Sequence, residues 1–132
     1  MSVLSEEFAQ CVAHQTDKIV FITDREKVIA AAGDGLKGIV GKEISHSLER
    51  ILDDRDESLP LAERSRFIPV VEGMDGADEV KKVEQVRQMI RSNGQIIGSI
   101  IIQSKDPKYK VGEFEKKVAM VAAEFLGKQI TI

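Results

Sequence analysis

The chain has 132 residues, of which 42% are hydrophobic, a length and composition that suit one globular domain with a single core. Its 22 acidic residues outnumber its 19 basic residues, and the net charge of -3 argues against a free-standing nucleic-acid binder, which usually carries a basic face. No apolar run approaches the roughly 20 residues that a membrane-spanning helix needs, so we expect no membrane insertion. The single cysteine excludes an internal disulfide and fits a cytoplasmic location.

The N-terminal third predicts a helix followed by a β-hairpin. Within residues 3–15, Leu4, Phe8 and Cys11 recur at helical spacing and form one narrow apolar stripe. We expect Cys11 to be a buried thiol that acts as a small hydrophobe. Residues 18–23 and 27–32 are rich in β-branched and apolar side chains, and the short polar break between them predicts an antiparallel hairpin.

The middle of the chain predicts a glycine-rich loop, a helix and a short strand. The helix is expected over about 45–53, with Ser45 as its N-cap. Residues 66–71 predict a strand, and Pro69 would place it at the edge of a sheet because proline has no N–H to donate.

The C-terminal part predicts a second hairpin and a long helix. Residues 79–91 fit either a helix or a strand, but Asn93-Gly94 favours the strand because both residues tolerate the positive φ of a type I′ turn. The apolar run 96–102 then predicts a central strand. A helix is expected over 111–129, with large apolar residues spaced i, i+4, i+7 and i+11 at Phe114, Val118, Val121 and Phe125.

This order of elements predicts an α+β domain with an antiparallel sheet of about five strands and the two terminal helices on one face. The stripes of large apolar residues on those helices have two readings, packing on their own sheet or pairing with a second copy of the chain, and both can hold. The candidate residues for a homodimer interface are Leu4, Phe8, Cys11, Phe114, Val118, Val121 and Phe125.

Three motifs suggest chemistry, and none has the context that the chemistry needs. Residues 33–38 match G-x-G-x-x-G, but they follow the second arm of a hairpin and precede no crossover helix, so we interpret them as a loop. The acidic residues of 53–57 lack the spacing of a calcium loop, with Ser58 where that loop needs glycine. His14 and His46 lie on different helices without a second ligand one turn away. We therefore predict no metal, no cofactor and no catalytic residue.

Two stretches resemble sensory domains of the GAF type. Ile19–Arg25, Val28–Gly33 and Gly41–Ser45 resemble the opening of such domains. Asn93–Gly98, continued by Ile100–Asp106, Gly112–Glu115 and Ala122–Gln129, is similar to the C-terminal effector domain of the stage V sporulation protein T family, and together the two stretches cover nearly the whole chain.

The resemblance implies a GAF/PAS-like sheet with a small pocket on the face opposite the terminal helices, roofed by residues 35–65. Its expected function is to bind an unknown small effector and to modulate a sporulation-type transcriptional output through dimerisation, without catalysis. The pocket walls would come from Phe21, Thr23, Ala31, Gly33, Leu48 and Ile51.

The chain differs from that family in one respect, and two other functions stay open. Proteins of that family begin with a DNA-binding domain resembling the AbrB type, and no such domain precedes the first helix here, so we expect one GAF-like domain over 1–132 that does not bind nucleic acid directly. A dimerisation module without a ligand is the main alternative. A GAF-type reductase of free methionine sulfoxide is a weaker one, because Cys11 alone supplies no resolving thiol.

Overall fold

The computed structural model describes residues 2–33, 38–53, 67–72, 83–105 and 108–129. The elements in chain order are α1 (Ser2–Thr16), β1 (Ile19–Thr23), β2 (Val28–Ala32), α2 (His46–Asp53), β3 (Gln85–Ser92), β4 (Gln95–Gln103) and α3 (Glu113–Gln129). This order confirms the predicted α+β class, with the two long helices at the ends of the chain. Within the described ranges, no helix has the length and apolar character needed to cross a bilayer.

The described strands form one antiparallel sheet of four strands in the order β2-β1-β4-β3. In the central pair, Phe21 lies opposite Ile101 and Val20 lies opposite Ile102. Because side chains alternate between the two faces of a strand, Val20 and Ile102 face α1 and α3, whereas Phe21 and Ile101 face α2.

The turn between β3 and β4 confirms the hairpin that the sequence predicts. Asn93 has a φ of 53° and Gly94 a φ of 80°, so both central residues adopt the left-handed conformation that a type I′ turn requires. The ambiguous segment before the turn is therefore a strand, β3.

The predicted strand over 66–71 is wrong, and the sheet has four described strands rather than five. Residues 67–71 lie in irregular structure. The Ser45 hydroxyl donates to the carbonyl of Pro69 at 2.6 Å, and the Ser45 N–H donates to the carbonyl of Val70 at 2.7 Å. Because these carbonyls satisfy the start of α2 and Pro69 has no N–H to offer, the segment lies across the α2 face of the sheet instead of extending its edge.

On both terminal helices, the residues that face the sheet lie one position later in the chain than the residues of the predicted apolar stripes. One residue along an α-helix is a rotation of about 100°, so the predicted large apolar residues are turned toward the side of each helix. Cys11 is exposed as a result, which corrects the expectation of a buried thiol. The residues that face the sheet are mostly small: Ser5, Ala9, Val12 and Thr16 on α1, and Glu115, Ala119, Ala122, Ala123, Leu126 and Gly127 on α3.

The small residues let the helices lie close to the sheet. Gly127 is the clearest example, because a Cβ atom there would collide with the carbonyl oxygen of Arg91 on β3. The larger side chains of Leu4, Phe8 and Val118 pack only partly against this core, from the sides of the helices.

Candidate functional site

The face of the sheet opposite the terminal helices is covered by α2 and by residues 67–72. Phe21 on β1, Ile101 on β4 and Leu48 on α2 are fully buried in one apolar cluster between these layers. The predicted position of the roof is therefore correct where the structure describes it.

Helix α2 is attached to its surroundings at both ends. At its start, the Leu48 N–H donates to the Ser45 hydroxyl at 3.1 Å, which confirms Ser45 as the N-cap. At its end, Asp53 pairs with the guanidinium of Arg25, which also donates to the carbonyl of Ile96 at 3.0 Å. Arg25, in the turn between β1 and β2, thus joins the roof to the beginning of β4.

Beneath the roof, the sheet carries a buried pair of hydroxyl groups. Thr23 Oγ1 and Ser99 Oγ are 2.8 Å apart, and both residues are fully buried. Met89 lies next to Ser99 in the register of β3 and β4. Each hydroxyl can donate once and accept twice, so the pair has more hydrogen-bonding capacity than the single bond between them uses.

A second polar group lies at the other end of the same face. The Gln85 side chain donates to Gln103 Oε1 at 2.9 Å and to the carbonyl of Ile68 at 2.9 Å, and it accepts from the Ile68 N–H at 3.2 Å. The Arg87 guanidinium donates to Gln85 Oε1 at 2.6 Å. Burial lowers the pKa of Arg87 to about 10, because removal from water disfavours the charged form.

The structure brings together most of the residues predicted to line a pocket. Phe21, Thr23 and Leu48 are buried on the α2 face, and Ala31 is half-buried at its margin. The other two predicted pocket residues, Ile51 and Gly33, are not buried on this face. Ile51 is half-buried, while its neighbour Leu52 packs into the apolar cluster. Gly33 is exposed at the end of β2.

Sequence reasoning missed four polar residues of this face: Gln85, Arg87, Ser99 and Gln103. The Asn93-Gly94 turn could have located them, because it sets the pairing of β3 with β4, and alternate residues then share a face. The register shift between Ile90 and Arg91 makes that count uncertain from sequence alone. Residues 34–37 of the glycine-rich motif and 54–57 of the acidic stretch lie outside the described residues.

Replacing both hydroxyls of the buried pair should cost less stability than the sum of the two single replacements. We expect Thr23→Val to lower the free energy of unfolding by about 1–3 kcal/mol, because Ser99 Oγ then stays buried without its partner. The double variant Thr23→Val/Ser99→Ala should be less destabilised than the sum of the two single variants. Urea denaturation of the four proteins in a double-mutant cycle measures this coupling, and additive effects would contradict it.

The outer sides of the terminal helices form a second surface, which we call the outer helix face. The rings of Phe8 and Phe125 join the two helices, with centroids 5.2 Å apart. Phe114 is 57% exposed, Val121 is 65% exposed and Phe125 is 40% exposed. The face comprises the seven residues predicted from the sequence as interface candidates: Leu4, Phe8, Cys11, Phe114, Val118, Val121 and Phe125.

Comparison with known sequences identifies one family over nearly the entire chain. The family model described as "Stage V sporulation protein T C-terminal, transcription factor" matches residues 1–131. Stage V sporulation protein T of Bacillus subtilis (strain 168) is 33% identical over 126 residues, which are 96% of this chain and 66% of that protein. The chain thus spans about two thirds of the length of this relative.

Three solved structures share the fold at low sequence identity. The cofactor-binding GAF domain of the nutrient sensor CodY from Clostridium difficile has a TM-score of 0.64 at 14% identity, covering 96% of this chain and 83% of that one. The type II free methionine-R-sulfoxide reductase from Thermoplasma acidophilum has a TM-score of 0.60 at 16% identity, covering 96% and 89%. The inducer-binding domain of a PobR double mutant from Acinetobacter, in complex with 3-hydroxybenzoic acid, has a TM-score of 0.57 at 12% identity, covering 94% and 95%. These similarities confirm the GAF-like fold.

Proposed function

We propose that this chain, which belongs to the stage V sporulation protein T C-terminal family, is a non-catalytic sensory domain of a cytoplasmic transcription regulator. It binds a small effector between α2 and the sheet and passes the occupancy of that site to the transcriptional output through a homodimer. The family description supports the regulatory role. Two proteins that share the fold, a cofactor-binding nutrient sensor and an inducer-binding domain, support a small-molecule site.

The observation that carries the effector-binding role is the placement of polar groups within an apolar face. The hydroxyls of Thr23 and Ser99 lie at one end of the face, and Gln85 and Arg87 lie at the other. Between them lie apolar residues such as Ile101. A few oriented polar groups among apolar side chains are typical of small-molecule sites, because the apolar residues supply binding energy and the polar groups supply orientation.

The outer helix face supports dimerisation. Phe114, Val121 and Phe125 are exposed on it where a solvated helix would carry polar residues, whereas Leu4, Phe8 and Val118 pack partly against the core of the same chain. Clusters of exposed apolar residues often mark an interface. A twofold axis would bring the same face of two copies together. The sheet lies between this face and α2, so an effector that stabilises one position of α2 can shift the dimer between two arrangements.

A ligand-free dimerisation module remains the main alternative, and one observation favours it. Phe21 and Leu48 are fully buried against the same cluster, so apolar side chains already fill part of the layer between α2 and the sheet. A reductase function has less support. Cys11 is the single cysteine of the chain, and it lies on α1, across the sheet from the candidate site.

Native mass spectrometry of the gently purified chain tests the proposed function. We expect a dimer that carries an additional small mass, released when the same sample is denatured. A dimer without bound mass would favour the ligand-free module, and a monomer at micromolar concentration would contradict the proposed output through dimerisation.

A further inference from the structure

Helix α2 is attached firmly at its start. The Ser45 N–H donates to the carbonyl of Val70 at 2.7 Å, and the Ser45 hydroxyl donates to the carbonyl of Pro69 at 2.6 Å. The N–H of the next residue, His46, donates to Glu72 Oε2 at 2.8 Å. Ser45 is fully buried, so water does not compete for its two hydrogen bonds. We call Ser45 the anchor of α2.

The end of α2 is held in a different way. Asp53, its last residue, pairs with the guanidinium of Arg25, which also donates to the carbonyl of Ile96 at 3.0 Å. We call the Arg25–Asp53 ion pair the latch. The two side chains are 45% and 58% exposed, so water and dissolved salt weaken their attraction, and exposed pairs of this kind contribute little to stability. The described contacts therefore hold the two ends of α2 with unequal strength.

Asp53 occupies a position at which its own helix disfavours an acidic residue. The last turn of a helix carries partial negative charge, so a carboxylate there lowers the stability of the helix. Asparagine at the same position would remove this repulsion, and α2 by itself would become more stable. Residues that oppose a local preference are most often found where function requires them. The latch thus points to a role that the stability of α2 alone does not explain.

The latch lies at the same end of the sheet as the buried hydroxyl pair. Arg25 follows Thr23 by two residues, and Ile96 precedes Ser99 by three. Leu52, the residue before the latch on α2, is 2% exposed and packs in the apolar cluster between α2 and the sheet. Movement of this end of α2 would therefore remove Leu52 from the cluster and open a path to the hydroxyl pair.

We propose that α2 is a lid that opens from its C-terminal end while its start stays at the anchor, and that the Arg25–Asp53 latch holds it closed. In the closed position, Leu52 fills the apolar face. In the open position, the latch is broken and the hydroxyl pair becomes accessible. The opening is a property of the chain without a ligand, whereas its use for the entry of an effector rests on the proposed sensory function.

Amide hydrogen exchange of the ligand-free chain, followed by NMR, tests the lid. A helix of eight residues is unstable in water, so its amides lose protection when it leaves the sheet. Asp53→Asn removes one charge of the latch and should lower the protection factors of the Ile51 and Leu52 amides about twofold to fivefold. Arg25→Met also removes the hydrogen bond to Ile96 and should lower them about threefold to tenfold.

Three controls separate a lid from general loosening of the protein. Glu124→Gln removes an exposed ion pair with Lys128 on α3 and should leave the protection of α2 unchanged. The Glu49 N–H donates to the carbonyl of the anchor residue at 2.9 Å, and its protection should fall less than that of Leu52 in both latch variants. Sodium chloride at about 1 M should lower the protection of Leu52 in the parent, because salt screens the latch, and should have little further effect in the latch variants.

Two results would overturn the inference: protection of Leu52 that is unchanged in both latch variants, or protection that falls as much at Glu49 as at Leu52. Native mass spectrometry separates this failure from failure of the proposed function. A co-purified small molecule, together with an α2 that is unaffected by the latch variants, would preserve the sensory role and refute the lid. Latch variants that open α2 in a protein that carries no small molecule would support the lid and favour the ligand-free module.

Discussion

Val121→Glu is expected to convert the proposed homodimer into monomers, with a rise of about 100-fold or more in the dimer dissociation constant. A symmetric interface contains the substitution twice, and each buried, unpaired carboxylate costs at least about 1.5 kcal/mol. Val121 is 65% exposed in the single chain, so the monomer should lose no more than about 0.5 kcal/mol of stability. Analytical ultracentrifugation over a concentration series measures the dissociation constant directly.

Met120→Glu is the matched control for this experiment. Met120 is 42% exposed on the same helix but lies about 100° around its axis from Val121, away from the outer helix face. Its replacement should leave the dimer intact. If Met120→Glu dissociates the dimer equally well, or if Val121→Glu remains dimeric, the outer helix face is not the interface.

Phe125→Asp should also yield monomer, but it is a less specific test. Phe125 contacts Phe8 within the same chain, and its ring is more buried than the side chain of Val121. Its replacement removes an intrachain aromatic contact as well as an interface residue, so lost dimerisation and lost stability would occur together. Comparison of Phe125→Asp with Val121→Glu shows how much of the loss of dimerisation comes from the interface itself.

The terminal helices show how far apolar periodicity can predict packing. It predicted the helices correctly, but it left open whether their large apolar stripes pack on the sheet or on a second copy of the chain. In α3, Ala119 and Leu126 face the sheet, while Val121 and Phe125 lie on the outer helix face. Size is the physical reason, because close contact between a helix and a sheet selects small side chains. Each of these helices carries two apolar stripes that are offset by one residue, and the stripe of smaller residues is the one that fits against the sheet. Hydrophobicity alone therefore does not show which stripe faces the sheet.

The candidate site shows a different limit of prediction from the sequence. Local turn chemistry predicted the β3–β4 hairpin, and the resemblance to GAF domains implied that Phe21 and Thr23 belong to one pocket wall; both are buried on the α2 face. The polar group around Gln85 could not be predicted in the same way, because it depends on Ile68, in an irregular segment that the sequence suggested was a strand. Contacts between a strand and an irregular segment are set by tertiary packing, for which a single sequence carries no periodic signal.

Gly98→Ala is expected to lower the free energy of unfolding by about 3 kcal/mol. A Cβ atom at this position on β4 would collide with the carbonyl oxygen of Thr23 and lie 3.1 Å from the Cα of Asp24. These are backbone atoms at the end of β1, where the register with β2 already shifts between Ile22 and Thr23. A flexible side chain could rotate away from the added methyl group, but the backbone must move as a unit, so the strain cannot be relieved locally.

Urea denaturation followed by circular dichroism measures this effect, with Gly112→Ala as the control. A Cβ atom at Gly112 would meet only Glu115 Oε1 at 4.0 Å, and Gly112 does not adopt a left-handed conformation, so its replacement should change stability by less than about 0.5 kcal/mol. A Gly98→Ala protein as stable as the control would show that the end of β1 can move. Because Thr23 also bonds to Ser99, any such movement disturbs the hydroxyl pair, so the close contact at Gly98 links the packing of the sheet to the shape of the proposed effector site.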